Sequence, residues 1–198
     1  IVQEGNTTTL QPKPSLKGQE IKVPGDISSA AYFIVAGLIV PGSKLLIKDV
    51  GINPTRDGII EICQRMKANI SLENIRDWNG EQVADIYVEH SNLQGIEIGG
   101  SVIPRLIDEL PIIAVMACFA DGKTTIRDAQ ELKVKETNRI DVMVNNLKAL
   151  GAKISGTDDG MVIEGGSPLH GARVESKNDH RIAMSFAIAD LMTQSQVD

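Results

Sequence analysis

The sequence predicts an α/β protein of the inside-out barrel kind, built of repeated βαβαββ units with buried central helices and outer sheets. Three observations carry that prediction. The phrase Leu-x-Gly recurs at Leu16-Lys17-Gly18, Leu93-Gln94-Gly95 and Leu169-His170-Gly171, so the copies lie 77 and 76 residues apart (16 to 93, 93 to 169). A short stretch alternating apolar with charged residues follows each copy, which is the period of a strand with one solvated face. Each copy then runs into a segment apolar on every side: Ala30–Val40, Ile112–Ala120 and, broken only by Ser185, Ile182–Ala189. A helix without a polar face belongs inside a core, so the helices are expected at the centre and the half-wet sheets around them.

In chain order, Ile1–Pro12 reads as the closing hairpin of an earlier unit. After it the repeat offers two full units and a third that stops just past its first helix. The chain is therefore expected to be part of something longer. The first strands are Ile21-Lys22-Val23, Ile96-Glu97-Ile98 and Arg173-Val174-Glu175. Second strands follow at Lys44–Asp49 and Lys123–Asp128, with matching basic, Ile and Asp positions. The second helices show apolar stripes at helical spacing, Ile59, Ile62, Cys63 and Met66 in one and Ile140, Met143, Val144, Leu147 and Leu150 in the other. Hairpins from Asn69 to Glu89 and from Lys153 to Glu164 close the units. Lys67 stands where the later unit has Gly151, which suggests a different turn there.

Composition narrows the function classes. A chain of 198 residues, 42% hydrophobic and with a formal charge of −6, can bury a core but is no general binder of polyanions, so nucleic acid is not expected as a partner. Cys63 lies on a helical stripe and Cys118 in an apolar run; both read as reduced core residues of a cytoplasmic protein. The three histidines lack metal-ligand spacing. The apolar run Ala30–Val40 is half the ~20 residues that span a bilayer, so no membrane segment is expected.

Charged residues collect at the predicted helix starts: Asp26–Ser29, Pro54-Thr55-Arg56, Asp108-Glu109, Glu136–Arg139 and Asp179-His180-Arg181. Parallel central helices would bring these to one end, where unpaired N–H groups favour anions. Lys135, Arg139 and Arg181 suit carboxylate and phosphate groups, and Asp108 and Glu136 suit proton transfer. Plainer readings stand beside these. Asp26, Asp108 and Asp179 are also what helix caps look like, Ser28 and Ser29 read as caps, Glu136 and Arg139 have the spacing of a surface ion pair, and Trp78 sits at a polar hairpin tip.

Five segments, VPGDISSAAYF (23–33), NPTRDGI (53–59), IPRLIDELP (103–111), ELKVKETNR (131–139) and DHRIAMSF (179–186), resemble the 5-enolpyruvylshikimate-3-phosphate synthases in order and spacing. The resemblance implies an enzyme of two similar domains that close on shikimate 3-phosphate and phosphoenolpyruvate without a metal or cofactor. It puts the crossover near Pro24-Gly25-Asp26, so that the closing hairpin and strand of residues 1–23 belong with a preceding domain outside this chain and residues 24–198 form the phosphoenolpyruvate-side domain, of two full units and a truncated third. It implies that Asp108 accepts the proton of the shikimate hydroxyl and that Glu136 protonates the methylene of phosphoenolpyruvate. Lys135 would sit between the substrates, Arg139 and Arg181 would clamp phosphoenolpyruvate, and His180 would lie beside its phosphate. Asn138 replaces the Asp of many relatives and is expected still to cap. Two other readings remain: the sister enolpyruvyl transferase acting on UDP-N-acetylglucosamine, against which KETNR and DHR argue, and a non-catalytic repeat module.

Overall fold

The computed structural model describes residues 1–193 and 197; residues 194–196 and 198, expected to belong to a third unit, lie outside the described residues. The fold is mixed α/β. A hairpin of β1 (Val2–Glu4) and β2 (Thr7–Thr9) opens the chain, exposed throughout. Then come α1 (Ile27–Ile39), β3 (Lys44–Gly51), α2 (Gly58–Arg65), β4 (Asn69–Trp78) and β5 (Glu81–Glu89). The next unit holds β6 (Glu97–Ile98), a 3-10 turn (Gly100–Arg105), α3 (Leu110–Cys118), β7 (Lys123–Ile126), a second 3-10 turn (Gln130–Val134), α4 (Arg139–Ala149), β8 (Lys153–Gly156) and β9 (Met161–Glu164). Helix α5 (His180–Asp190) begins the third.

Strands β3-β5-β4 form an antiparallel sheet. The second sheet runs β6-β7-β9-β8, parallel only between β6 and β7, which flank α3 as a βαβ crossover requires. Helix α1 packs on β3 and β5, and α3 packs on β9. Helices α1, α3 and α5 also pack against one another. Every residue of α3 is buried, as its apolar sequence demands. Both cysteines are buried and unbridged, and burial pushes each thiol up to about 12. Among the described residues no helix is long and apolar enough to cross a membrane.

The repeat is held by the same bonds in both full units. At the end of α2, Lys67 N–H donates to Gln64 and Ala68 N–H to Cys63; at the end of α4, Gly151 N–H donates to Lys148 and Ala152 N–H to Leu147. Both are Schellman caps with a left-handed residue, Lys67 at φ 66° and Gly151 at φ 91°. The expected difference between the two turns is therefore corrected: Lys67 accepts the strained conformation, because the cap satisfies carbonyls that would otherwise be orphaned. Leu-x-Gly completes each lock, the central residue donating its N–H to the cap carbonyl (Gln94 to Met66, 2.9 Å; His170 to Leu150, 3.0 Å) beneath buried Leu93 and Leu169. At Gly95 a Cβ would stand 2.5 Å from the Lys123 carbonyl oxygen, which explains the glycine there. The first copy makes no such lock: Leu16 is exposed and Gly18 lies in open space.

A carboxylate repeats too. Asp85 accepts the N–H of Asp49 at 2.9 Å and Asp159 that of Asp128 at 2.7 Å, and both donors are left-handed at φ 60°. These N–H bonds chiefly hold the Asp85 and Asp159 carboxyls below the usual carboxylate range.

Three expectations change. Residues 21–23 form no strand. Lys22 N–H bonds the Asn79 side chain, its ammonium lies 3.4 Å from the Trp78 ring centroid, and only the bridge Gly25–Val50 joins β3. Residues 173–175 keep the alternation but form no strand either: no second strand follows α5 among the described residues, and the Asn146 side chain bonds both the N–H and the carbonyl of Glu175 instead. Helix α5 is not buried all round, since Ala183, Met184 and Ala187 face outward and nothing described packs over them; Phe33 of α1 is similarly exposed.

The left-handed residues supply a test. A non-glycine in that region costs ~1–2 kcal/mol, and glycine gives back ~0.5–1 kcal/mol through unfolded-chain entropy. The difference is ~0–1.5 kcal/mol, so Lys67→Gly should raise stability by that amount and Gly151→Ala should lower it by as much or more, since its Cβ would also stand 3.0 Å from the His170 ring, both read as shifts of the urea midpoint at constant slope.

Candidate active site

The site is where helices begin. Asp26 caps α1 through the N–H and hydroxyl of Ser29, both at 2.9 Å; Asn138 caps α4 through Asp141 N–H at 3.3 Å; Asp179 caps α5 through Arg181 N–H at 2.9 Å. Asn138 thus caps as expected. Asp108, of the same type and at the same kind of position, caps nothing. Its carboxylate lies 3.3 Å from Arg139 Nη1, 3.2 Å from Arg181 Nη2 and 3.9 Å from Lys135 Nζ. Ser28 departs from the capping expectation too, because its hydroxyl turns inward to donate to Glu109.

Arg139 lies at the centre, only 1% exposed. Nε donates to Asp179 at 2.8 Å, Nη1 to Asp108, and Nη2 to Glu136 at 2.5 Å. Three of its neighbours thus come from three different segments of the chain. Burying a guanidinium without counter-charge costs several kcal/mol, and the fully buried Asp179 carboxylate is the chief compensation. Burial would raise the Asp179 carboxyl, but the hydrogen bond and charge of Arg139 outweigh it and hold the group below its ordinary value. Burial opposes the charge on Arg139 as well, and the same carboxylates raise its affinity for the proton.

Of the six residues expected to form a site, Asp108, Lys135, Glu136, Arg139 and Arg181 are brought together. His180 is adjacent in the chain but exposed, and its ring makes no hydrogen bond among the described residues. Lys135 is shared with Glu131 at 2.5 Å. A hollow of about 410 Å³ lies instead beside α4, lined by Asn145, Asn146, Arg173 and Glu175, and contains none of the six. Among the described residues no group of three or more His, Cys, Asp or Glu has the geometry to hold a metal. Chemically, the cluster offers cations for an oxyanion, with two carboxylates in hydrogen-bonding contact with them.

The sequence model for EPSP synthase (3-phosphoshikimate 1-carboxyvinyltransferase) matches residues 1–198. The chain belongs to the EPSP synthase family. Among similar proteins, the 3-phosphoshikimate 1-carboxyvinyltransferase of Syntrophotalea carbinolica is 59% identical over 189 residues, 96% of this chain and 44% of that protein. The protein of the same name from Bacillus cytotoxicus is 57% identical over 194 residues, 98% of this chain and 46% of that one. The chain spans under half the length of these curated relatives. An EPSP synthase structure from Acinetobacter baumannii superposes with a TM-score of 0.89 at 44% identity, covering 92% of this chain and 43% of that one. The enolpyruvyl transferase NikO from Streptomyces tendae shares the fold, with a TM-score of 0.60 at 20% identity, over 85% of this chain and 37% of its own.

Some residues of this EPSP synthase family chain that shape the cluster are not evident as such in the sequence. Asp179 reads as a cap and is also the buried partner of Arg139. Glu109 and Ser28 are each 2% exposed, and Tyr32 is buried close to Arg181, which draws its phenol down against the rise that burial causes. A signal for Glu109 exists: it immediately precedes a helix with no polar residue.

Removing the Asp179 charge should be costly. Asp179→Ala is expected to lower stability by about 3 kcal/mol, because it leaves Arg139 short of its main counter-charge. The Asp179 carboxyl is held below its unfolded value of about 4, so its contribution is complete above that pH and is lost as pH falls through the folded value. The stability gap between wild type and Asp179→Asn in urea titrations should therefore narrow as the pH is lowered from 7 to below 4.

Proposed function

We propose that the chain forms the phosphoenolpyruvate-side domain of an enzyme that transfers the enolpyruvyl group to the 5-hydroxyl of shikimate 3-phosphate. In this reading residues 24–198 belong to an inside-out barrel with α1, α3 and α5 in its interior. Residues 1–23 belong with a second domain that closes over the site. The mutual packing of those helices supports the barrel, and the wholly exposed β1–β2 hairpin supports the separate assignment of residues 1–23. Membership of the EPSP synthase family favours this substrate over the UDP-linked sugar of the sister enzymes.

The observation that carries the proposal is Asp108 set among Arg139, Arg181 and Lys135. A carboxylate so placed receives the proton of the substrate hydroxyl as its oxygen bonds C2 of phosphoenolpyruvate. Glu136, half exposed and anchored on Arg139, delivers a proton to the methylene carbon, which becomes a methyl. In the elimination the Glu136 carboxylate takes a proton back from that methyl as phosphate leaves C2 with the proton held on Asp108, which restores the double bond and returns both carboxyls to their starting states. Arg181 and Lys135 bind the anionic groups, and His180 stands at the rim. Arg139 contacts phosphoenolpyruvate through whichever N–H groups the carboxylates leave open, and as the most buried cation it also fixes the site's shape.

In the complete enzyme Glu136→Gln should lower kcat by ~10²–10⁴ while changing the KM of either substrate far less, since general acid catalysis acts in the transition state. Turnover within about threefold of the parent would reduce Glu136 to an ion-pair partner of Arg139. The present chain alone, supplied with both substrates, should release no phosphate, because closure has to assemble groups from both domains.

A further inference from the structure

Behind the Asp108 cluster lies a second layer that the mechanism above does not use. Ser28, in the first turn of α1, donates its hydroxyl hydrogen to the Glu109 carboxylate and accepts a hydrogen bond from Arg56 Nη2 at 2.9 Å. Ser28 and Glu109 are buried, whereas Arg56 is exposed. Burial raises the Glu109 carboxyl, and the Ser28 hydrogen bond and the charges of Arg181 and Arg56 pull it back. Both arginines thus act on one buried carboxylate, which is next in the chain to Asp108. That places Arg56 at the same end of the fold as the cluster.

Arg56 differs from the other arginines there in having no carboxylate partner. Arg139 and Arg181 pair with Asp179, Glu136 and Asp108. The carboxylates nearest Arg56 in sequence, Asp57 and Glu61, are taken by Arg105. Among the described residues no acid lies within ion-pairing distance of Arg56, and its one hydrogen bond goes to a neutral hydroxyl. A guanidinium has five N–H donors, so most of this one's donors remain for a ligand, together with a charge that no ion pair neutralises and that acts on Glu109 and Asp26 only at longer range. An exposed arginine ordinarily loses considerable rotamer freedom on binding. Here one Nη is already tied to a buried hydroxyl that a buried carboxylate holds in turn, which lowers that cost.

We propose that Arg56 is a further substrate-binding residue of this site, taking a carboxylate or phosphate oxyanion of the substrate, with Ser28 and Glu109 as its positioning residues. The identity of the anion rests on the enolpyruvyl-transfer reading; the presence of an anion-binding guanidinium does not.

The test uses the full-length protein with Arg56→Gln, Arg56→Lys and Ser28→Ala, followed by steady-state kinetics with each substrate varied and by calorimetric titration with inorganic phosphate. Arg56→Gln should raise the KM of one anionic substrate about tenfold, a loss in keeping with a charge-assisted hydrogen bond, with a much smaller effect on kcat. Arg56→Lys should recover part of the loss by keeping the charge without the fork, and Ser28→Ala should show an intermediate rise. A rise confined to phosphoenolpyruvate assigns the anion to that substrate, and a rise confined to shikimate 3-phosphate assigns it to the other. Both KM values and the phosphate affinity unchanged in Arg56→Gln would overturn the inference. So would a lower melting temperature with a reduced kcat and unchanged KM, the signature of a mere brace between α1 and the loop before α2. If the parent turned over neither substrate, the enolpyruvyl-transfer reading would fail; the phosphate titrations of parent and Arg56→Gln would still decide the role of Arg56.

Discussion

The burial of one guanidinium, that of Arg139, constrains how this molecule is put together. A charge only 1% exposed has to be met by counter-charges, and here these come from the residue before α5 (Asp179), the loop before α4 (Glu136) and the segment before α3 (Asp108). No single helix carries all three. The starts of α3, α4 and α5 must therefore converge, and the charged end of the fold is as much an electrostatic requirement as a catalytic opportunity.

The ends of the second helices, and the turns at the ends of the second strands, are built for sameness. Schellman caps, the Leu-x-Gly locks and the carboxylates of Asp85 and Asp159 recur with nearly the same donors and acceptors. The helix starts are free to differ because these repeated bonds already fix the units. Three aspartates show how far they differ. Asp26 is a plain cap, Asp179 a cap that also neutralises a buried arginine, and Asp108 no cap at all but the meeting point of three cations. A chain of net charge −6 can still offer cationic groups at this end, since among the described residues Arg56 pairs with no acid, and Arg181 and Lys135 keep N–H donors beyond those that face Asp108.

Much of this was legible in residues. The second helices, the second strands and both closing hairpins follow from apolar periodicity, and the hairpins begin and end where the alternation does, at Asn69, Glu89, Lys153 and Glu164. Five of the six expected site residues meet because charged residues at helix starts converge once the helices pack together. Periodicity failed where a segment's state depends on a partner: 21–23 and 173–175 have the strand pattern but no full ladder to join, and α5 has an apolar sequence but no described cover on one side.

The sequence by itself determined the repeat, the second helices, second strands and closing hairpins, the burial of α3 and of most of α1, and which charged residues stand at helix starts, because these depend on local spacing and side-chain polarity. Only the tertiary structure decided that Lys67 takes the turn of a glycine, that Ser28 faces Glu109 rather than capping α1, and that Asp108 joins cations from two other elements. Those outcomes are set by hydrogen bonds and ion pairs between residues from 28 to 81 positions apart, or by a cap whose bonds outweigh a local preference. Such long-range partners leave no period in a sequence.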